Sequence, residues 1–165
     1  MYRVVQLLYL MAPVYFANMA PPFLKYWKGW NRPVNERWFG SHKTVLGIAV
    51  GVLAGIAVTG VQHAVDWSGS LVSYEAWPLL GLELGGGALA GDAVKSLIKR
   101  RLGIPPGASW VPADQIDFVL GALVFAAPLA HLGWADVAVI IGFTFVADIV
   151  VNQISFRLGI RGTKW

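Results

Sequence analysis

Five apolar stretches alternate with polar segments along the chain. They cover residues 4–23, 44–65, 77–94, 116–132 and 135–156. An apolar helix of about twenty residues is long enough to cross the ~30 Å hydrocarbon core of a bilayer, and these stretches reach or approach that length. The pattern therefore predicts an all-α integral membrane protein with five transmembrane helices, folded as a single polytopic domain over residues 1–165.

Positive charge is confined to a few of the polar segments. Segment 25–43 carries five Lys or Arg residues and three Trp against one Glu, segment 95–113 is the second basic loop, and the tail from Arg157 onward is the third basic piece. Of the thirteen Lys and Arg residues, only Arg3 falls on the other side of the predicted helices. Cytoplasmic loops of membrane proteins are enriched in Lys and Arg. We therefore expect two basic cytoplasmic loops, a cytoplasmic C-terminus and an external N-terminus.

The composition is typical of the same class. Hydrophobic residues make up 56% of the chain and charged residues 13%, with a mean hydropathy of +0.59. The chain has no cysteine, which excludes disulfides, thiol nucleophiles and cysteine metal sites. The net charge of +4 is explained by the cytoplasmic loops, so we do not expect nucleic-acid binding.

Carboxylates gather where the third and fourth stretches flank the second basic loop. Asp114 and Asp117 are three residues apart, and Asp92 and Ser96 are four apart, so each pair lies on one face if its segment is helical. Charges at membrane depth cost roughly 2.5 to 3.5 kcal/mol each, which makes such a cluster a functional-site hypothesis. Mg²⁺ binds one or two carboxylates together with substrate phosphates. We therefore predict a magnesium site formed by Asp92, Asp114 and Asp117.

Each of these residues also has a simpler interpretation. Acidic residues often cap a helix N-terminus, and the basic run 99–101 is typical of a cytoplasmic flank. The helical connection of that run to Asp92 favours phosphate contacts by Lys99 and Arg100. Lys43, in G-S-H-K-T, lacks the spacing of a phosphate-binding loop but remains a candidate phosphate contact.

Two further features of the apolar stretches are open to interpretation. Asp148 either lines a site or pairs with a neighbouring helix, since both would satisfy a buried carboxylate. Gly85, Gly86 and Gly87 either loosen the third helix or admit another backbone. His42, His63 and His131 show no ligand spacing, and no role is assigned to them.

Several motifs resemble those of the CTP:phosphatidate cytidylyltransferases. They are S-x-x-K-R from Ser96 and D-x-x-D from Asp114. Nearly the whole chain is similar to their small archaeal branch, the CDP-archaeol synthases. This wider resemblance is carried by A-N-x-A-P-P, N-R-P-V, G-x-x-K-T, D-Q-I-D-F-V-x-G-A and N-x-x-x-F-R-L-G-I-R at residues 17–22, 31–34, 40–44, 114–122 and 152–161. The His-Gly-Gly and the Arg of the bacterial and eukaryotic pattern are replaced by residues 107–111 and Gln115, which favours the archaeal branch.

The resemblance implies an activity and a set of site residues. An unsaturated ether-lipid phosphate, 2,3-bis-O-geranylgeranylglycerol 1-phosphate, would attack CTP, giving CDP-archaeol and pyrophosphate. The site would face the cytoplasm from the cell membrane, among membrane lipids, and a homodimer is left open. The resemblance assigns catalytic roles to Asp92, Lys99, Asp114 and Asp117. The three carboxylates among these residues would bind Mg²⁺. The residues that would bind the nucleotide or the lipid phosphate are Lys43, Ser96, Lys99, Arg100 and Asn152.

Two other functions compete with this one. A cation transporter or channel would line its path with Glu83, Asp92 and Asp148, but most of the acidic residues crowd toward one side. A CDP-alcohol phosphatidyltransferase also uses paired carboxylates, yet it expects a longer D-x-x-D-G-x-x-A-R signature. Here Asp117 is followed by Phe118, which disfavours it.

Overall fold

The computed structural model describes residues 1–40, 43–105 and 108–159, and its helices follow the apolar stretches. The helices are α1 (Tyr2–Met19), a 3-10 helix (Pro21–Tyr26), α2 (Glu36–Phe39), α3 (Val45–Val65), α4 (Trp77–Arg101), α5 (Ala113–Leu129) and α6 (Trp134–Arg157). The predicted all-α class is confirmed. The predictions that concern His42, part of segment 107–111 and the basic tail beyond residue 159 fall outside the described residues.

Three segments are long and apolar enough to cross a membrane, within the described part of the chain. They are Tyr2–Leu24, Val45–Val65 and Trp134–Arg157. This finding supports an integral membrane protein. α4 and α5 do not meet the same criterion, because α4 interrupts its apolar residues with Glu83 and Asp92, and α5 has 17 residues. The arrangement of five spans therefore stays a prediction.

Contacts at the helix ends define how the helices run. At one end, Arg3 at the start of α1 pairs with Asp136 at the start of α6. At the other end, Lys43 before α3 contacts Asp92 late in α4. Asp114, at the start of α5, lies at this same end. α1, α4 and α6 therefore run in one direction and α3 and α5 in the other, which gathers the basic segments at what we call the lysine-rich end.

Glycine contacts bring two helices close to α4. A Cβ on Gly55 of α3 would lie 3.1 Å from the Cα of Gly85, and a Cβ on Gly91 would lie 2.2 Å from the carbonyl oxygen of Asp117 in α5. α4 is continuous through Gly85, Gly86 and Gly87, so this run admits neighbouring backbones and does not break the helix. The close approach at Gly91 sets the separation of α4 and α5 near the carboxylates.

The apolar core lies mainly between α1, α4 and α5. Leu10, Leu84 and Val119 are among its fully buried members. α6 contributes little to this core, because its buried residues are only Ile140, Thr144 and Asn152. α6 therefore lies at the edge of the helix packing.

Candidate active site at the lysine-rich end

Three carboxylates converge on one ammonium group between α4 and α5. Lys95 Nζ lies 3.2 Å from Asp92 Oδ1, 2.9 Å from Asp114 Oδ1 and 2.8 Å from Asp117 Oδ2. The sequence had indicated the carboxylates but not Lys95. The signal was present, since Lys95 follows Asp92 by three residues and such pairs are neighbours on a helix.

Two more lysines complete the arrangement. Lys99 Nζ lies 3.0 Å from both carboxylate oxygens of Asp114 and donates a hydrogen bond to the carbonyl of Ala108. Lys43 contacts the second oxygen of Asp92. Three lysines thus share three carboxylates. We call this set the ion cluster, and it consists of Lys43, Asp92, Lys95, Lys99, Asp114 and Asp117.

Backbone pairing places Lys43 in the ion cluster. The amide of Val34 donates to the carbonyl of Lys43 at 2.8 Å, and the amide of Val45 donates to the carbonyl of Arg32 at 3.0 Å. Thr44 then caps the N-terminus of α3. The N-R-P-V and K-T motifs are therefore adjacent, and together they hold Lys43 against α4.

Neither member of the acidic pair caps α5 with a side-chain hydrogen bond, although Asp114 lies in its first turn. Asp114 accepts a hydrogen bond of 2.5 Å from the amide of Trp110, so its carboxylate ties the preceding loop to the first turn of α5 as well as pairing with lysines. Asp117 lies a turn further into α5 and is 8% exposed. A cap does not explain Asp117, which leaves its contact with Lys95 as the reason for its burial.

Burial makes the charge balance of the ion cluster important. Lys99 is 6% exposed, and removing an ion from water costs several kcal/mol unless partners compensate. The three lysines formally balance the three carboxylates. Burial and the neighbouring Lys95 ammonium lower the pKa of Lys43 to about 8, against the opposing effects of Asp117 and Asp114. Lys43 therefore remains mostly protonated at neutral pH, and the cluster remains close to neutral.

Three predicted phosphate contacts make local bonds instead of joining the cluster. Ser96 Oγ donates to the carbonyl of Asp92 at 2.9 Å. The guanidinium of Arg100 donates to the carbonyl of Ile104 at 2.5 Å. Asn152 donates to Asp148 of its own helix at 2.7 Å. Phosphate binding by Ser96, Arg100 and Asn152 stays a prediction.

A cleft of about 100 Å³ lies between α1, α5 and α6. Most of its lining is apolar, with Phe118 and Phe143 among the residues that form it. Tyr15 and Thr144, whose hydroxyls are 3.0 Å apart, and Asp148 supply polar groups. Asp148 therefore lines a cleft and accepts a hydrogen bond from Asn152 of its own helix, while its pairing with a neighbouring helix stays a prediction.

The donor chemistry of the ion cluster fits a hard divalent cation. Three carboxylates already converge on a single positive charge, and Mg²⁺ prefers oxygen ligands. The N–O distances of 2.8 to 3.2 Å around Lys95 exceed the ~2.0–2.1 Å of a Mg–O bond. Within residues 1–40, 43–105 and 108–159, no three His or acidic side chains are arranged to hold a metal as they stand. Metal binding by these carboxylates stays a prediction.

Known proteins similar to the chain form a consistent group. The chain matches over residues 1–165 the family described as "CarS-like: CDP-archaeol synthase". The CDP-archaeol synthase of Thermococcus gammatolerans is 33% identical over 168 residues, which cover 96% of this chain and 94% of the relative. The CDP-archaeol synthase of Methanospirillum hungatei is 34% identical over 144 residues, with 83% and 87% covered.

A solved structure is similar over most of its length. It is described as an intramembrane enzyme for archaeal membrane lipids biosynthesis. Its TM-score is 0.72 at 26% sequence identity, and the match covers 92% of this chain and 93% of that one.

Proposed function

Since the chain belongs to the CDP-archaeol synthase family, we propose that the ion cluster is its active site. Membership makes the protein a membrane-bound, CTP-dependent cytidylyltransferase of archaeal lipid synthesis. The observation that supports the assignment is the convergence of Asp92, Asp114 and Asp117 on one cationic position. Carboxylates for a metal and lysines for phosphates are the two kinds of group that the reaction needs.

The acceptor we propose is 2,3-bis-O-geranylgeranylglycerol 1-phosphate. A phosphate monoester has a second pKa near ~6, so at neutral pH its oxygen is already a nucleophile and needs no general base. This oxygen attacks the α-phosphorus of CTP. The bond from that phosphorus to the bridging oxygen breaks, which leaves CDP-archaeol in the membrane and releases pyrophosphate.

The chain's own groups deal with the repulsion between two polyanions. Lys43 and Lys99 enter the site from different elements, the loop before α3 and the end of α4, so they can reach different phosphates. Their charge stabilises the negative charge that develops on the leaving pyrophosphate. Asp92, Asp114 and Asp117 would hold Mg²⁺, which when bound supplies further neutralisation of the phosphate oxygens.

We place the site at the cytoplasmic surface of the cell membrane, in a multi-pass protein with five spans. The support is the alternating direction of α1, α3, α4, α5 and α6 and the Lys and Arg residues at one end. Because the chain has no cysteine, single cysteines report sidedness without background. Cysteines replacing Trp30 and Ala108 should react with an impermeant maleimide only from the cytoplasmic side, and one replacing Ser70 only from outside. External reaction at Ala108 would separate the site from cytosolic CTP.

The activity itself is tested with purified protein in liposomes. CTP labelled in the cytidine is supplied with the ether-lipid phosphate, and the label is measured in the extracted lipid together with released pyrophosphate. Equal amounts of the two products support the proposal. The matched control is the same lipid without its phosphate, which should give neither product. Pyrophosphate release without labelled lipid would show hydrolysis of CTP and contradict the transfer.

A further inference from the structure

The ion cluster is closed on itself. The two oxygens of Asp92 contact Lys95 and Lys43. The oxygens of Asp114 are shared between Lys95 and Lys99, and Asp117 faces Lys95. The carboxylates, which are suited to bind a divalent cation, are therefore paired with the lysine ammonium groups, which are suited to bind phosphate.

We propose that Lys95 is an internal counter-ion, which occupies the divalent-cation position among the three carboxylates and transfers to the nucleotide phosphates when the cation replaces it. This inference rests on the proposed function, because it assumes that the ion cluster binds CTP and a metal. It adds Lys95 as a nucleotide-binding residue. It also predicts that binding of CTP and binding of the divalent cation are energetically coupled.

The geometry requires an exchange. Lys95 Nζ sits where the three carboxylates converge, at 2.8 to 3.2 Å from their oxygens. Metal ligation by the same oxygens needs about 2.0 Å, and two cations cannot share that position because their charges repel. The lysine side chain is suited to the move, since its ammonium is a compact charge on a flexible four-carbon stem.

Charge balance predicts that the two ligands help each other. The cluster holds three lysines and three carboxylates, so a divalent cation alone adds uncompensated positive charge, and CTP alone adds uncompensated negative charge. Together they offset each other in part, because the divalent cation neutralises some of the negative charge of the triphosphate. Each ligand also releases the groups that the other needs. Coupling of this kind is reciprocal, and its usual size is 5-fold to 150-fold in affinity.

A purely structural role for Lys95 makes a different prediction. If Lys95 only joins α4 to α5, removing its charge leaves Asp117 buried without its partner and loosens the site, and binding of both ligands weakens. If Lys95 is a counter-ion, removing its charge leaves the carboxylates better able to bind a metal. The two roles therefore differ in the sign of the effect on metal binding.

The first measurement is binding of Mn²⁺ alone, followed by the loss of the electron paramagnetic resonance signal of the free ion. Purified full-length protein is used without nucleotide or lipid phosphate. We expect Lys95→Met, which removes the charge but keeps the length of the side chain, to bind Mn²⁺ about tenfold more tightly than wild type. Lys28→Met, at an exposed lysine outside the cluster, is the matched control and should not change Mn²⁺ binding.

The second measurement is the reciprocal one. Binding of CTP is measured by calorimetry in EDTA, so that no divalent cation contributes. Asp92→Asn releases Lys43 and removes one of the three carboxylates that hold Lys95, and we expect it to bind metal-free CTP about tenfold more tightly than wild type. Asp66→Asn, at the opposite end of the helices, is the matched control. This CTP-binding measurement also tests the proposed exchange by itself if the Lys95 variant does not fold.

The outcomes separate this inference from the proposed function. Mn²⁺ binding by Lys95→Met that is equal to wild type or weaker overturns the exchange, as does metal-free CTP binding by Asp92→Asn that is no tighter. Wild-type protein that labels lipid while failing these tests refutes the exchange alone. Wild-type protein that passes them but labels no lipid refutes the transfer reaction and leaves the exchange standing.

Discussion

Opposite ends of the helix packing carry two different kinds of ion pairing. Arg3 and Asp136 form a one-to-one pair with two hydrogen bonds of 2.9 and 2.7 Å, and the Arg3 side chain is 47% exposed. In the ion cluster Lys95 contacts three carboxylates, and Lys99 is buried. An exposed pair contributes about 0–1 kcal/mol to stability. For buried ions, the free-energy cost of desolvation can exceed the attraction between the partners. Stability alone therefore accounts for the exposed pair, while the partly buried cluster needs a functional reason.

The largest effect is expected from the carboxylates of the cluster. Asp114→Asn and Asp117→Asn should each lower turnover by at least about 100-fold, because each removes an anionic metal ligand. Both proteins should remain folded in detergent, since the apolar core is untouched. Turnover is measured as lipid labelling and folding as circular dichroism. Near wild-type turnover at saturating Mg²⁺ would remove that residue from the site.

A smaller loss is expected from the lysines that we assign to phosphate. Lys43→Ala and Lys99→Ala should lower kcat/KM for CTP by about 10-fold to 100-fold, because a charged hydrogen bond contributes about 1.5–3 kcal/mol. The loss should be greater for Lys99, which also holds Ala108 and Asp114. Lys28→Ala, also a loop lysine, serves as the control. Equal kinetics for Lys99→Ala and the control would place phosphate binding elsewhere.

Helix separation should affect the cluster less directly. A Cβ at Gly91 would lie 2.2 Å from the backbone of Asp117, whereas a Cβ at Gly86 meets nothing within 4 Å. We expect Gly91→Ala to push α4 away from α5, to destabilise the fold by about 1–3 kcal/mol and to reduce turnover. Gly86→Ala should be neutral or slightly stabilising, since Ala favours helix. Thermal unfolding and lipid labelling of both variants test this, and equal behaviour would contradict the close approach.

The smallest effect is expected at the exposed pair. Arg3→Gln should cost no more than about 1 kcal/mol of stability and should leave turnover unchanged, because the pair lies at the far end from the cluster. The stability difference should shrink further at high salt, which screens exposed charges. A loss of turnover in Arg3→Gln would show that the two ends are coupled, and the contrast drawn between them would fail.

The helices were predictable because the length of an apolar stretch depends only on residues that are consecutive in the sequence. The predicted stretch 44–65 corresponds to α3 within one residue. α4, in contrast, continues through Arg101, seven residues beyond the stretch 77–94, and α5 begins at Ala113, before the predicted 116. Hydrophobicity marks the part of a helix that faces apolar surroundings. Charged residues extend it where partners such as Asp114 and Lys99 satisfy each other, and this depends on tertiary contacts.

The carboxylates of the site were predictable for the same reason. Asp114 and Asp117 share a face through local spacing alone. Lys95 was missed because its role depends on how closely α4 approaches α5. That distance is set by Gly91 against the Asp117 backbone, a contact between residues far apart in the sequence. The contact of Lys43 with Asp92 was missed likewise, since it follows from the pairing of Arg32 with Val45.

The glycine contacts on both faces of α4 also bear on how the enzyme can diverge. Side chains along the touching faces of α3, α4 and α5 must remain very small, because a Cβ at Gly55 or Gly91 would meet the backbone of the neighbouring helix. α6 is under no such restriction, because few of its residues are buried and it borders the cleft beside α1 and α5. Substitutions in α6 can therefore change the lining of the cleft without displacing the helices that carry the ion cluster.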